Sequence, residues 1–213
     1  MSKIYLALLD KNRLEVFQKL SRFCGVGYLA GGTALALQLN HRRSVDFDLF
    51  SPTELKSSLF RKCQRVFGRF LTKLRDSEDQ LTFVTPEGIN ITFVYYPYKN
   101  VSTLIKTPYL NLASIQDIAA DKAYTVGRRA LWRDYVDIFF LLKKRKVSLA
   151  KIIQLAQKKF GGGFNENLFL EQLTYYDDIE VAKVDFLRES YTEKEIKSFL
   201  EEETRKYLKS VLT

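Results

Sequence analysis

Cysteine and histidine are almost missing from this chain. Cys24, Cys63 and His41 are its only thiol and imidazole side chains. None stands at a ligand spacing from another, which argues against a structural zinc site. So few cysteines fit a reducing compartment, with both thiols expected as small core residues. Long apolar runs are also lacking. The stretch from Ile4 to Leu9 stops at Asp10, too short for a membrane helix or a signal-peptide core, so no membrane association is expected and cytoplasm is the expected location. Acid is scarce over most of the chain. Residues 1–160 hold 27 Lys/Arg against 13 Asp/Glu, a balance of +14. Residues 161–213 hold 7 against 12, a balance of −5, which brings the total to +9. That polarity points to a polyanionic partner for the first part, or to an acidic tail folding back on it. Internal repeats and low-complexity tracts are absent as well.

What is present is ample core material. Apolar residues make up 46% of the 213 residues, with sixteen Phe and twelve Tyr, so disorder is excluded. The length suits one large domain, or a domain with a helical appendage. Leu14, Phe17, Leu20 and Phe23 recur every three residues and predict an amphipathic helix over 10–24. Tyr28 to Ala30 reads as a short strand. Ser51-Pro52-Thr53-Glu54 has the form of a capped helix start, with the helix running to about Phe67. Phe70 to Arg75, Gln80 to Thr85 and Ile89 to Tyr96 read as a three-stranded meander with turns at 76–79 and 86–88. In the last strand Asn90, Thr92 and Val94 share the polar face. A break falls near residue 100. Beyond it come a short strand (Leu110 to Ala113) and helices from Ser114-x-x-Asp117 to about Gly127, from Trp132 to Lys146 and from the cap Ser148 to the triple glycine at 161–163. Residues 165–174 and a last helix opened by Thr192-x-x-Glu195 complete the chain. The expected fold is α+β: a small mixed sheet with flanking helices over 1–100, then a helical bundle over 101–213.

Two stretches carry charge of one sign only. Lys56 to Arg75 and Lys143 to Lys159 each hold seven basic residues and no acid. They read as phosphate-contacting surfaces, or as solvated faces with docking of the acidic tail.

The chemistry centres on residues 29–50. Gly31-Gly32-Thr33 opens a short apolar helix to Leu39. His41 to Arg43 leads into Val45-Asp46-Phe47-Asp48-Leu49, which alternates with period two. Read as a strand, Val45, Phe47 and Leu49 face one way and Asp46 and Asp48 the other. Two carboxylates at that spacing repel unless a cation lies between them or one takes up a proton. Such oxygens suit Mg²⁺, which takes one or two carboxylates plus substrate phosphates. The glycine-opened helix N-terminus is a seat for phosphate.

Gly31-Gly32-Thr33 followed by Arg43-Ser44-x-Asp46-Phe47-Asp48-Leu49-Phe50 resembles the first motif of the AbiEii-type toxin nucleotidyltransferases, a branch of the DNA polymerase β-like superfamily. Ile118-Ala119-Ala120-Asp121-Lys122-Ala123, Arg129 and Arg133-Asp134-Tyr135-x-Asp137-Ile138 are similar to that family's C-terminal motif. The resemblance covers about residues 25–145. It implies a Mg²⁺-dependent transfer of NMP from an NTP to RNA, a tRNA 3′ end foremost, with release of pyrophosphate and with a cognate antitoxin as partner. It further implies that Gly31, Gly32, Thr33, Arg43 and Ser44 bind the nucleotide and that Asp46 and Asp48 bind metal. Lys122 would contact the triphosphate. Asp134 and Asp137, on one face of a helix, would lie across the cleft near the base or acceptor. The superfamily's third acid, on a later strand, has no counterpart here, because Thr92 stands at its place. That departure keeps open a non-catalytic nucleotide- or RNA-binding module, and the acceptors of other superfamily branches keep open a protein or small-molecule acceptor.

Overall fold

The computed structural model describes residues 4–126, 128, 129 and 131–212. The chain divides after Ser114 into two compact units. The division comes later than the sequence break near residue 100 because residues 105–113 are tied to the first sheet. Leu112 bridges both Leu29 and Ile105, and the Leu29 N–H donates to the Asn111 carbonyl at 2.9 Å.

The first unit is built on five strands: β1 (Tyr28–Ala30), β2 (Phe47–Ser51), β3 (Thr72–Asp76), β4 (Gln80–Val84) and β5 (Asn90–Tyr95). Their order is β1-β2-β5-β4-β3. Only β2 and β5 run parallel; the other neighbours are antiparallel, so the sheet is mixed. Alternation decides the faces. Phe47, Leu49, Leu81, Phe83, Ile91 and Phe93 are buried, while Asp48, Thr82 and Thr92 between them are partly open. The apolar face is covered by α1 (Lys11–Lys19), the 3₁₀ turn Leu20–Phe23 that continues it, and α3 (Leu59–Phe67). Contact is largely aromatic: Phe17 stacks on Phe47 at 6.1 Å, and Phe23 meets Phe93 at 5.2 Å and Phe67 at 5.8 Å. α2 (Gly31–Leu39) has apolar residues all round and is a buried helix.

Three expectations are corrected in this unit. Ser51 does not cap a helix. It is the last residue of β2, its carbonyl accepts from the Tyr96 N–H at 2.7 Å, and α3 starts only at Leu59. The Ser-Pro-x-Glu pattern therefore sits at a strand end, where backbone pairing takes precedence. Val45 does not share the buried face, because β2 begins at Phe47 and Val45 is 40% exposed. Cys24 is exposed rather than internal, with its thiol donating to the Tyr109 carbonyl; Cys63 is buried, and burial pushes its thiol up to about 12.

The second unit is helical: α4 (Ile115–Val126), α5 (Trp132–Lys143), α6 (Leu149–Phe160), α7 (Glu166–Thr174) and α8 (Glu193–Leu212). Caps set the starts. The Ser148 hydroxyl accepts from the Lys151 N–H, and the Asn165 side chain from the Leu168 N–H. At α8 the capping box is complete: the Glu195 N–H donates to the Thr192 hydroxyl, and the Thr192 N–H to the Glu195 carboxylate at 2.7 Å. α5 ends at Lys143, short of Lys146, since Arg145 takes a positive φ. Gly127, read as the end of α4, lies outside the described residues. Aromatic side chains knit the bundle, with Tyr124 stacked on Phe160 at 4.0 Å and Phe139 meeting Phe199 at 5.1 Å.

Candidate active site

In the first unit the site grows from the β1–α2 turn. Ala30 pairs with Asp48 across β1 and β2, so the residue after Ala30 must pass close to the Asp48 side chain. That residue is Gly31, at φ +65, where a Cβ would stand 3.0 Å from Asp48 Oδ2. A side chain here would strain the backbone and crowd the carboxylate. At Gly32 a Cβ would lie 2.5 Å from the Arg42 guanidinium and 3.3 Å from the Ser44 hydroxyl, so a side chain here would displace the end of Arg42. α2 has no side-chain cap at its N-terminus, so its first N–H groups and the positive end of its dipole face the turn.

Thr33 binds the acidic loop to this helix. Its buried hydroxyl donates to the Asp46 carbonyl and lies 2.8 Å from the Ser44 hydroxyl. The Thr33 side chain thus fixes where Ser44 and Asp46 stand. Arg43 is exposed, and its carbonyl accepts from the buried Arg42 guanidinium at 3.1 Å. Asp48 lies within β2, and Asp46 immediately precedes that strand.

The parallel neighbour completes the surroundings. Thr92 stands in register with Asp48, and Thr82 with Thr92. Thr82 donates to the Thr92 hydroxyl at 3.3 Å, and Gln80 donates to Thr82 at 2.9 Å. One step along β5, the Asn90 amide donates to Asp46 Oδ1 at 3.2 Å. Neutral groups therefore line β5 beside the two acids. Among the described residues no group of three or more His, Cys, Asp or Glu is placed to hold a metal ion. Two carboxylates with hydroxyl and amide neighbours still fit Mg²⁺, which completes its shell with water and substrate oxygens.

In the second unit, Lys122, Asp134 and Asp137 come together. The Lys122 ammonium lies 2.5 Å from Asp134 and 2.6 Å from Asp137, and all three side chains are buried. Asp134 also accepts two hydrogen bonds from the Arg129 guanidinium, at 3.0 and 3.4 Å. Lys122 does not stand on the helix surface. It is a buried cation held by two buried acids, and such an arrangement persists only when each charge is matched. A neighbouring cluster repeats the pattern, with Lys159 of α6 at 3.2 Å from Asp117 and 2.7 Å from Asp121 of α4. Lys159 is thus internal and leaves the basic surface read at 143–159. Tyr135, between the two acids of α5, has its phenol pushed up by burial and then by the charges of Asp178 and Asp134.

Asn90, Arg42 and the Lys159 cluster were not among the residues singled out from the sequence. Asn90 could have been flagged, since it lies on the polar face of the strand where an acid was sought. Nothing in the spacing pairs Lys159 with Asp117, 42 positions away.

A mixed sheet whose second strand carries acids beside a Gly-Gly-Thr helix turn, followed by a helical unit, has the fold of the nucleotidyltransferases. The chain matches "Nucleotidyl transferase AbiEii toxin, Type IV TA system" over residues 19–211, and it belongs to that family of nucleotidyltransferases. "Uncharacterized protein aq_aa25" of Aquifex aeolicus (strain VF5) is 29% identical over 213 residues, covering 95% of this chain and 98% of the relative. Among solved structures, MenT4, a nucleotidyltransferase toxin of Mycobacterium tuberculosis H37Rv, superposes with a TM-score of 0.64 at 17% identity, covering 96% of this chain and 84% of that one. A provisionally assigned nucleotidyltransferase from H. pylori gives 0.60 at 17% identity, covering 95% and 99%. At that identity the structural likeness is one of fold. No helix is long and apolar enough to cross a membrane among the described residues.

Proposed function

We propose that this chain transfers NMP from a Mg²⁺-bound NTP to RNA, with a tRNA 3′ end as acceptor, and that a cognate antitoxin holds it in check in the cytoplasm. The observation that carries the reading is the close fit of Gly31 against Asp48 at the uncapped start of α2. It sets the first N–H groups of α2 close to the Asp48 carboxylate, which supports a phosphate seat next to a metal ligand. The α2 N-terminus would hold the triphosphate, together with Arg43 and Ser44. Thr33 would position the Asp46 loop through its hydroxyl. Asp46 and Asp48 would hold the metal, whose charge, when bound, supplies electrostatic stabilisation to the phosphate under attack. Lys122, with Asp134 and Asp137 fixing its ammonium, is assigned to the triphosphate. Asp137 is assigned to the acceptor end. Positioning and charge neutralisation would supply most of the acceleration. The tRNA acceptor is taken from the family resemblance. The basic stretch 56–75 supports RNA over a small cationic substrate.

The test uses each α-labelled NTP with Mg²⁺ and total RNA, beside Asp46→Ala. Label in a tRNA-sized band, absent with the variant, is the expected result. Label in protein instead would move the acceptor to a side chain. No label with any NTP would remove the transfer reaction from this chain.

A further inference from the structure

Phe70 has no place in the chemistry above, yet it is the most solvent-exposed large apolar residue among those described, at 88%. Leu74, nearby on β3, is 60% exposed. Both side chains leave most of their apolar surface uncovered by the described chain. The sequence leading to Phe70 is cationic. Arg69 precedes it, Arg61 and Arg65 lie one helical turn apart on α3, and all three are exposed. Arg65 also lines a groove of ≈690 Å³ with Lys19 and Arg22, and with one acid, Glu15, of the α1 segment.

Two features decide which partner this surface fits. β3 is the last strand of the sheet, but its register shifts between Lys73 and Arg75, and both cations lie on it. A bulge and edge cations discourage pairing with another protein strand. In addition, the ion pairs of Lys73 and Arg75 are exposed, with Asp76 at 2.8 Å and Asp79 at 3.5 Å. Such pairs are weak and exchange readily for phosphate. An exposed ring flanked by cations is the arrangement that binds single-stranded nucleic acid, the ring stacking on a base and the cations tracking the backbone.

We infer that Phe70 and the arginines beside it form the docking surface for the unpaired part of the acceptor RNA. Phe70 stacks on a base, and Arg65 and Arg69 meet phosphates. This rests on the reading of RNA as acceptor and adds the surface that receives it.

The experiment measures binding of a fluorescent RNA hairpin with four unpaired 3′ nucleotides by anisotropy, over a range of salt concentrations. Phe70→Ala is expected to weaken binding roughly five- to hundredfold, the effect of unstacking one base, with an unaltered salt slope. Phe70→Trp restores it. Arg65→Ala with Arg69→Ala lowers the slope of log K against log salt by about 0.7 for each phosphate no longer neutralised. Wild-type affinity in Phe70→Ala overturns the assignment. So does a change in sedimentation from dimer to monomer in that variant with RNA affinity kept, which would make the patch a self-association face. Label transfer abolished in Asp46→Ala while Phe70→Ala binds RNA normally would remove this surface alone and leave the proposed reaction standing.

Discussion

Gly31 shows how little room a single residue can leave. Its φ of +65 suits glycine, and its absent Cβ leaves Asp48 where it is. Gly31→Ala is expected to cost about 1–2 kcal/mol of stability from backbone strain and to lower transfer further by displacing the carboxylate. Urea denaturation beside initial rates separates the two effects. Lys122 presents the opposite case, a charge that cannot be removed without exposing others. Lys122→Ala takes the ammonium away from the buried carboxylates of Asp134 and Asp137, and Arg129 stands only partly in its place, at Asp134. A loss of about 3–5 kcal/mol is expected, measured as a shift in the urea midpoint. Recovery of stability in Lys122→Ala with Asp137→Asn would show that the loss comes from the unmatched buried charge. The paired acids and the glycine turn were legible in the sequence because they lie within a few residues of each other. The burial of Lys122 was not: helical periodicity reports the neighbours on α4, whereas its partners stand on α5. Asn90 was missed for a related reason. Its hydrogen bond to Asp46 spans 44 positions and is made only by the parallel pairing of β2 with β5.

At the scale of elements, local chemistry was the better guide wherever it had no competitor. Ser148 and Thr192 start helices as their patterns predict, whereas the similar pattern at Ser51 yields to strand pairing. The capping box of α8 has a pH consequence. Glu195 sits below its ordinary value of 4.5, first through the Thr192 backbone N–H and then through the Thr192 hydroxyl. A carboxylate lowered in the folded state contributes stability above its unfolded value and loses it as pH falls through the folded one. Protection of the amides at the start of α8, measured against their intrinsic exchange rates, is therefore expected to fall as pH falls below about 4.5. Glu195→Gln should lack that acid-side step. The meander β3–β4–β5 was readable from turn residues and alternation, and its order in the sheet was not. Insertion of β5 beside β2 depends on long-range pairing that no local pattern encodes.

For the whole molecule, charge polarity is the property that composition stated most clearly and placed least well. The basic run at 143–159 turns inward at Lys159, which is buried against Asp117 and Asp121. The run at 56–75 stays largely on the surface of the first unit. The family assignment adds nucleotidyl transfer, and the first unit supplies an N-terminal helix seat beside two carboxylates. The central claim is that Asp46 and Asp48 carry that transfer. It is tested most directly by the initial rate of pyrophosphate release from NTP with Mg²⁺ and RNA, in the wild type and in Asp48→Asn. A fall of at least about a hundredfold in the folded variant is predicted, the usual scale for removing one electrostatic group from a transition state. A folded Asp48→Asn protein that releases pyrophosphate at the wild-type rate would contradict the account.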